Sequence, residues 1–173
     1  MSTHKIMLVA IVVVANSVFA DESPKLGEAV SAADLALADY SILPNGAGLP
    51  AGSGNAQQGA TVYSQNCLAC HGEGGTDGLN DRLVGGHGSL LTDKPVRTVG
   101  SFWPYATTLF DYVRRAMPYQ MPGNLTNDEV YAVTAYILFL NGVVAEDANM
   151  NADTLPKVKM PNGENVVWQY QPQ

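Results

Sequence analysis

The two cysteines of the chain stand three residues apart, and a histidine follows them directly. Cys67, Cys70 and His71 form the pattern Cys-x-x-Cys-His, which is typical of covalent c-type haem attachment. Two thiols at this spacing can both add to vinyl groups on one porphyrin edge, and the adjacent imidazole then lies beneath the iron. The motif predicts one haem c, attached through Cys67 and Cys70, with His71 as the proximal iron ligand.

A thioredoxin-type redox pair and a zinc site are the other uses of two closely spaced cysteines. The redox pair requires a βαβ setting, which the sequence pattern does not offer. A structural zinc site requires four protein ligands, and the sequence has neither a second Cys pair nor a His cluster. Haem attachment is therefore the preferred interpretation.

The second axial ligand has several candidates. A methionine sulfur on the distal face raises the reduction potential of a haem. Met117 and Met121 each precede a proline, which disfavours helical geometry, and both lie between two predicted helices. Either can cross the distal face of a haem. His87, in a glycine-rich loop, and Met150 and Met160, in the tail, are weaker candidates.

Helical patterns position these residues. Segments 32–40 and 56–66 read as helices, and Ser31 with Asp34 is a start signal for the first. A third helix is predicted to begin at Ser101, with Pro104 in its first turn, and to stop at Pro118. The sequence shows no repeat and no convincing strand, so we predict an all-α fold. Between residues 72 and 88 we expect a long loop, with short core contacts at Leu83-Val84 and Leu90-Leu91.

The last predicted helix has the clearest pattern. Thr126 and Glu129 form a capping box at its start, and Asn141-Gly142 ends it. Its apolar residues recur at helical spacing and make one face, which consists of Val130, Val133, Ile137 and Leu140.

Together, the haem motif, the downstream Met-Pro and the final amphipathic helix resemble a class I cytochrome c. The resemblance implies a haem enclosed by three to four main helices, with N- and C-terminal extensions. Gly59 and Tyr63 on one helix and Val133 and Tyr136 on the last helix match the family's crossing positions. A glycine there allows two helices to approach closely.

Three segments carry a narrower resemblance. Residues 44–54, 103–118 and 125–136 are similar to the cytochrome subunits of bacterial sulfite dehydrogenases and to the cytochrome domain of sulfane dehydrogenases. This resemblance implies that Met117, rather than Met121, is the distal ligand. Where relatives often carry a proline whose carbonyl region accepts the proximal histidine's N–H, this chain has Asp81, although a backbone carbonyl can still serve.

The N-terminus predicts export. A basic start, an apolar run over residues 6–15 and small residues before position 21 are typical of a signal peptide cleaved after Ala20. The run is shorter than the roughly 20 residues that span a membrane, so we expect no anchor. We predict four segments: 1–20, signal peptide; 21–54, extension and linker; 55–142, cytochrome c domain; 143–173, tail.

Charge and aromatic content complete the expectations. The net charge is −7, or −8 after loss of residues 1–20, which argues against nucleic-acid binding and favours docking to a basic patch or an apolar contact. Arginines suit haem propionates, and aromatic rings suit the haem pocket. The candidates are Arg97, Arg114 and Arg115, with Trp103 and Tyr105.

These features predict a periplasmic mono-haem carrier rather than an enzyme. By resemblance, it takes single electrons from a molybdenum sulfite dehydrogenase and passes them to a downstream cytochrome or terminal oxidase of the respiratory chain. The alternatives are a haem enzyme, or a catalytic-complex subunit, acting on sulfur compounds. A haem enzyme requires an open or displaceable distal position.

Overall fold

A computed structural model describes residues 27–167 of the chain. The chain divides into two compact units, Met1–Asp39 and Tyr40–Gln173. The predicted signal peptide lies outside the described residues. In the first unit, helix α1 covers Ala32–Ala38, and the Ser31 hydroxyl accepts a hydrogen bond from the Asp34 backbone N–H as predicted.

The second unit is built from helices and loops. Helices α5 and α6 follow apolar patterns that bury one face of α5 and most of α6. The predicted all-α class is confirmed. The helices are α2 (Ala56–Asn66), α3 (Leu68–His71), α4 (Val99–Phe102), α5 (Ala106–Ala116) and α6 (Asn127–Leu140).

Two short strands were not predicted from the sequence. Strand β1, Ser53–Gly54, pairs antiparallel with β2, Met150–Asn151. Two residues are too few to show the alternation by which a strand is recognised. The pairing joins the tail to the segment before α2. The tail then buries Met150, Leu155 and Met160 in the core, so residues 143–167 pack over the body of the unit as a covering segment.

The region before α5 corrects two expectations. Ser101 does not cap a long helix. It is the third residue of α4, where Thr98 and Ser101 form a reciprocal capping box, and α5 begins only at Ala106. Ser101 belongs to two overlapping start patterns, Thr98-x-x-Ser101 and Ser101-x-x-Pro104, and the structure forms the first. The predicted core contact of Leu91 is also wrong, because this side chain is fully exposed, whereas Leu83 packs against the core.

Helices α2 and α6 cross at Gly59. A Cβ at this position would overlap the carbonyl oxygen of Ala132 and would lie 2.8 Å from the Cβ of Tyr136. Beside the crossing, the rings of Tyr63 and Tyr136 lie 5.2 Å apart. The two helices therefore meet at backbone distance, with the aromatic pair closing over the contact.

Candidate haem-binding site

A cavity of about 990 Å³ lies between α3, α5, α6 and the loops that join them. Its size is at the upper end of the roughly 300–1,000 Å³ of ligand pockets. It receives side chains from the Cys-x-x-Cys-His motif and from the segment that carries Met117. The lining includes Cys67, Cys70, His71, Asp81, Arg82, Leu83, Arg97, Trp103, Leu109, Tyr112, Val113, Met117, Val133 and Ile137.

The single turn of α3 presents the Cys-x-x-Cys-His motif to this cavity. Cys67 ends α2, where its N–H bonds to the Tyr63 carbonyl at 2.8 Å, and its own carbonyl accepts from Cys70 and His71 at 3.1 and 2.9 Å. The two thiols are half-buried and form no disulfide. Burial, followed by the neighbouring Cys70, raises the pKa of the Cys67 thiol to about 11. Cys67 is therefore a protonated thiol at neutral pH.

His71 is oriented by a backbone carbonyl. Its Nδ1 lies 2.8 Å from the carbonyl oxygen of Asp81. Because a carbonyl oxygen only accepts hydrogen bonds, Nδ1 carries the proton and Nε2 keeps its lone pair for a metal. The chain thus supplies this hydrogen bond without a proline at position 81.

The structure separates the distal candidates. Leu109, Val113 and Met117 recur every four residues along α5 and its end, and all three line the cavity. Met117 follows the last helical residue in extended geometry, with φ −123° and ψ 145°. The side chain of Met121 is 54% exposed and lies outside the cavity wall.

The weaker candidates also lie elsewhere among the described residues. His87 is exposed and is not part of the cavity wall. Met150 and Met160 are buried in the hydrophobic core. Of the sulfur and imidazole groups that the sequence offered for a distal position, Met117 is therefore the one that shares the cavity with His71.

Apolar and aromatic side chains form the remaining walls. Val133 and Ile137 extend from one face of α6, and Trp103 meets Tyr112 edge-to-face, with ring centroids 5.7 Å apart. Apolar and aromatic surfaces of this kind suit a flat apolar group. Tyr105, the other predicted pocket aromatic, lines a separate shallow groove beside the C-terminal tail.

Basic residues at the cavity differ in part from those predicted. Arg97 lines it, with its guanidinium 5.4 Å from the centre of the Phe102 ring. Arg114 instead lies over the Tyr40 ring at 6.0 Å, and Arg115 pairs with Asp111 at 2.7 Å. Arg82 also lines the cavity. Sequence reasoning missed Arg82, although its place directly after Asp81, the histidine's acceptor, was a usable signal.

This donor set fits a covalently attached haem. Two unpaired thiols, an imidazole with a free Nε2, a thioether, two apolar walls and two arginines share one cavity. Thiols add to vinyl groups, nitrogen and thioether sulfur ligate iron, and guanidinium groups pair with carboxylates. No part of this set conflicts with the group.

An all-α fold around such a cavity defines a class I c-type cytochrome. The family model described as cytochrome c oxidase, cbb3-type, subunit III, matches residues 54–137. A chain in the crystal structure of the sulfane dehydrogenase SoxCD from Paracoccus pantotrophus is 37% identical, with a TM-score of 0.76. The match covers 84% of this chain and 72% of that one. A search of curated proteins found no match.

The chain therefore belongs to the c-type cytochromes, as its motifs predicted. Membership implies covalently bound haem c and a role in electron transfer. Among the described residues, no helix has both the length and the apolar character needed to cross a bilayer.

Proposed function

We propose that this protein is an exported mono-haem cytochrome that accepts single electrons from a sulfur-compound dehydrogenase and passes them toward the respiratory chain. The observation that carries the proposal is the shared cavity, which brings together Cys67, Cys70, His71 and Met117. The two cysteines are the only ones in the chain, so the thiols suffice for one haem.

Each of these residues has a distinct role in the proposal. The Cys67 and Cys70 sulfurs would hold the haem through thioether bonds to its two vinyl groups. His71 presents Nε2 to the iron, and Met117 presents its sulfur from the end of α5. When bound, the haem supplies reversible one-electron exchange.

Arg97 and Arg82 hold the haem carboxylates in this proposal. The Arg97 guanidinium already lies over the Phe102 ring, which limits its motion, and Arg82 stands on the segment next to His71. A carboxylate between the two side chains is compensated by their positive charge. This pairing offsets part of the cost of placing a charged group beside apolar walls.

The donor is proposed to be a molybdenum sulfite dehydrogenase or a related sulfur enzyme. Support comes from the segments that resemble cytochrome subunits of such enzymes and from the similar chain in the sulfane dehydrogenase structure. Sulfite oxidation releases two electrons, so one haem accepts them in two successive steps. Export follows in the proposal from the signal pattern of residues 1–20.

A stable subunit of a dehydrogenase complex is the second candidate. The specific observation in its favour is that the similar chain belongs to the structure of a dehydrogenase, SoxCD. Co-purification of a molybdenum protein with the tagged chain supports the subunit role, whereas a monomer that is reduced at a rate dependent on donor concentration supports the free carrier.

The test is anaerobic reduction of the oxidised protein by a sulfite dehydrogenase. We expect one haem per chain by absorbance and mass, and complete reduction only when sulfite is added. The matched control is the same mixture without sulfite, and a molybdenum enzyme with a non-sulfur substrate is the second control. Failure of every sulfur dehydrogenase to reduce the haem refutes the proposed donor. Rapid carbon monoxide binding with no sulfur-to-iron absorption band refutes the carrier role.

A further inference from the structure

Segment 81–85, which we call the proximal strap, carries the carbonyl that orients His71. It forms no helix or strand, and within its own loop only the N–H groups of Leu83 and Val84 bond to the Gly75 carbonyl, at 2.8 and 3.2 Å. The Asp81 carbonyl that accepts from His71 lies at the start of this segment. Directly before it, the Asn80 N–H bonds to the Cys70 carbonyl at 2.9 Å, and further support comes from side chains outside the loop, which bind Leu83 and Gly85.

Asn141 holds the strap from the end of α6. Its Nδ2 donates to the carbonyl of Leu83 at 3.2 Å and to that of Ile137 at 2.9 Å, and its Oδ1 accepts from the N–H of Gly85 at 3.1 Å. Both amide hydrogens and the amide oxygen are thus used. The residue is 6% exposed, and a Cβ at Gly100 would overlap its side chain.

Two of these three hydrogen bonds, those with Leu83 and Gly85, join α6 to the strap. An asparagine that serves only to end a helix needs no contact beyond its own last turn. Asn141 instead binds residues 56 and 58 positions earlier in the chain. On the strap, its partners lie two and four residues after Asp81, so they fix the direction in which the segment leaves the histidine's acceptor.

We propose that Asn141 is a positioning residue for the proximal iron ligand. Through the proximal strap it holds the Asp81 carbonyl against Nδ1 of His71 and so sets the electron donation of that imidazole. The inference rests on the proposed haem site. A carbonyl held firmly against Nδ1–H makes the imidazole a stronger donor, which favours the oxidised iron, whereas a strap free to move weakens this effect.

The main test compares Asn141→Ala with Asn162→Ala in the haem-loaded full chain. Asn162 is a matched control, because its Nδ2 donates across the chain to the Phe102 carbonyl at 2.7 Å but does not touch the strap. For Asn141→Ala we expect unchanged haem content and a more positive midpoint potential. The reduced-to-oxidised ratio at a fixed electrode potential rises about tenfold, which corresponds to about 59 mV for one electron.

A second readout follows the histidine itself. The hydrogen on Nδ1 of His71 exchanges with solvent at a rate that NMR can measure, and we expect faster exchange in Asn141→Ala than in the wild type. Asn162→Ala leaves both the potential and this rate at the wild-type values. A variant that loses stability without changing either quantity identifies Asn141 as a helix cap only and overturns the proposal.

A second pair of variants covers the case in which Asn141→Ala fails to fold. The Thr98 hydroxyl donates to the Gly85 carbonyl at 2.6 Å and is a second side-chain contact to the strap. Thr98→Val removes this donor and Thr98→Ser keeps it. We expect a more positive midpoint potential in Thr98→Val and the wild-type potential in Thr98→Ser. Equal midpoint potentials in the two variants overturn the proposal. A wild-type chain without haem overturns the proposed function and this inference together, whereas a loaded chain with no strap effect overturns only the inference.

Discussion

Two residues on different sides of the proposed site, His71 and Met117, are each positioned by local geometry. On one side, the Asp81 carbonyl occupies Nδ1 of His71 and leaves Nε2 as the only ring nitrogen available to a metal. On the other side, extended geometry at Met117 carries its side chain from the end of α5 into the cavity wall. Proline at position 118 favours this geometry, because its ring disfavours the helical conformation of the preceding residue.

Met117→Leu tests the distal position at this scale. We expect loss of the sulfur-to-iron absorption band and a reduction potential lower by on the order of 100 mV, because a thioether ligand favours reduced iron. Met121→Leu is the matched control, since Met121 also precedes a proline but is 54% exposed outside the cavity wall. Absorption spectra and redox titration decide between them, and the reverse result would assign the ligand to Met121.

At the scale of elements, helices α5 and α6 serve the core and the cavity at the same time. Leu109 and Val113 on α5, and Val133 and Ile137 on α6, are buried residues that also line the cavity. Their spacing of four places each pair on one helix face. Helix α2 leads directly into the haem motif. The position of the α6 face relative to that motif therefore depends on how α6 packs against α2.

Gly59→Ala tests this anchoring. The added Cβ meets the Ala132 carbonyl oxygen, which is backbone and cannot rotate away. Overpacking costs about 1–3 kcal/mol, and here the upper part of that range exceeds the ~1 kcal/mol gained in helix propensity. We expect a free energy of unfolding lower by about 1–2 kcal/mol in urea titrations. Gly74→Ala is the control, because its nearest neighbour is 3.7 Å away, and equal loss in both variants would contradict the close crossing.

At the scale of the whole molecule, two tyrosines tie helices to loop segments through their hydroxyl groups. The Tyr63 hydroxyl donates to the Gly72 carbonyl at 2.8 Å, directly after the haem motif, and the Tyr131 hydroxyl donates to the Pro50 carbonyl at 2.9 Å, 81 residues away. Burial is the main cause that raises the pKa of each to about 12, from an ordinary value of 10.0. Both rings are therefore neutral anchors of the unit.

These anchors predict alkaline instability. A folded-state pKa above the unfolded value means that the stabilisation is complete below about pH 10 and is lost as pH rises toward about 12. Tyr63→Phe and Tyr131→Phe each cost about 1 kcal/mol at neutral pH and flatten the alkaline loss. Tyr119→Phe, at an 80% exposed position, is the control. Unfolding titrations between about pH 8 and about pH 12 provide the measurement, and parallel pH profiles in all three variants would contradict the prediction.

The local sequence alone was enough to identify the haem motif, helices α1, α2 and α6, and the methionines that precede a proline. Each depends on residues within a few positions of one another, so spacing is enough to read them. The start of α5 was misjudged because two capping patterns overlap at Ser101, and only their competition in the folded chain selects the Thr98 box.

Tertiary structure decided which candidates meet. Met117 and Met121 each precede a proline, and the packing of α5 places Met117 in the cavity wall and leaves Met121 exposed. Tertiary packing likewise places Arg97 in the cavity wall and Arg114 over the Tyr40 ring. It also brings the Asp81 carbonyl to Nδ1 of His71. The contact of Arg114 with Tyr40, like the two-residue strand pair, joins segments far apart in sequence. The free energy of these contacts depends on the whole packed core rather than on any local pattern.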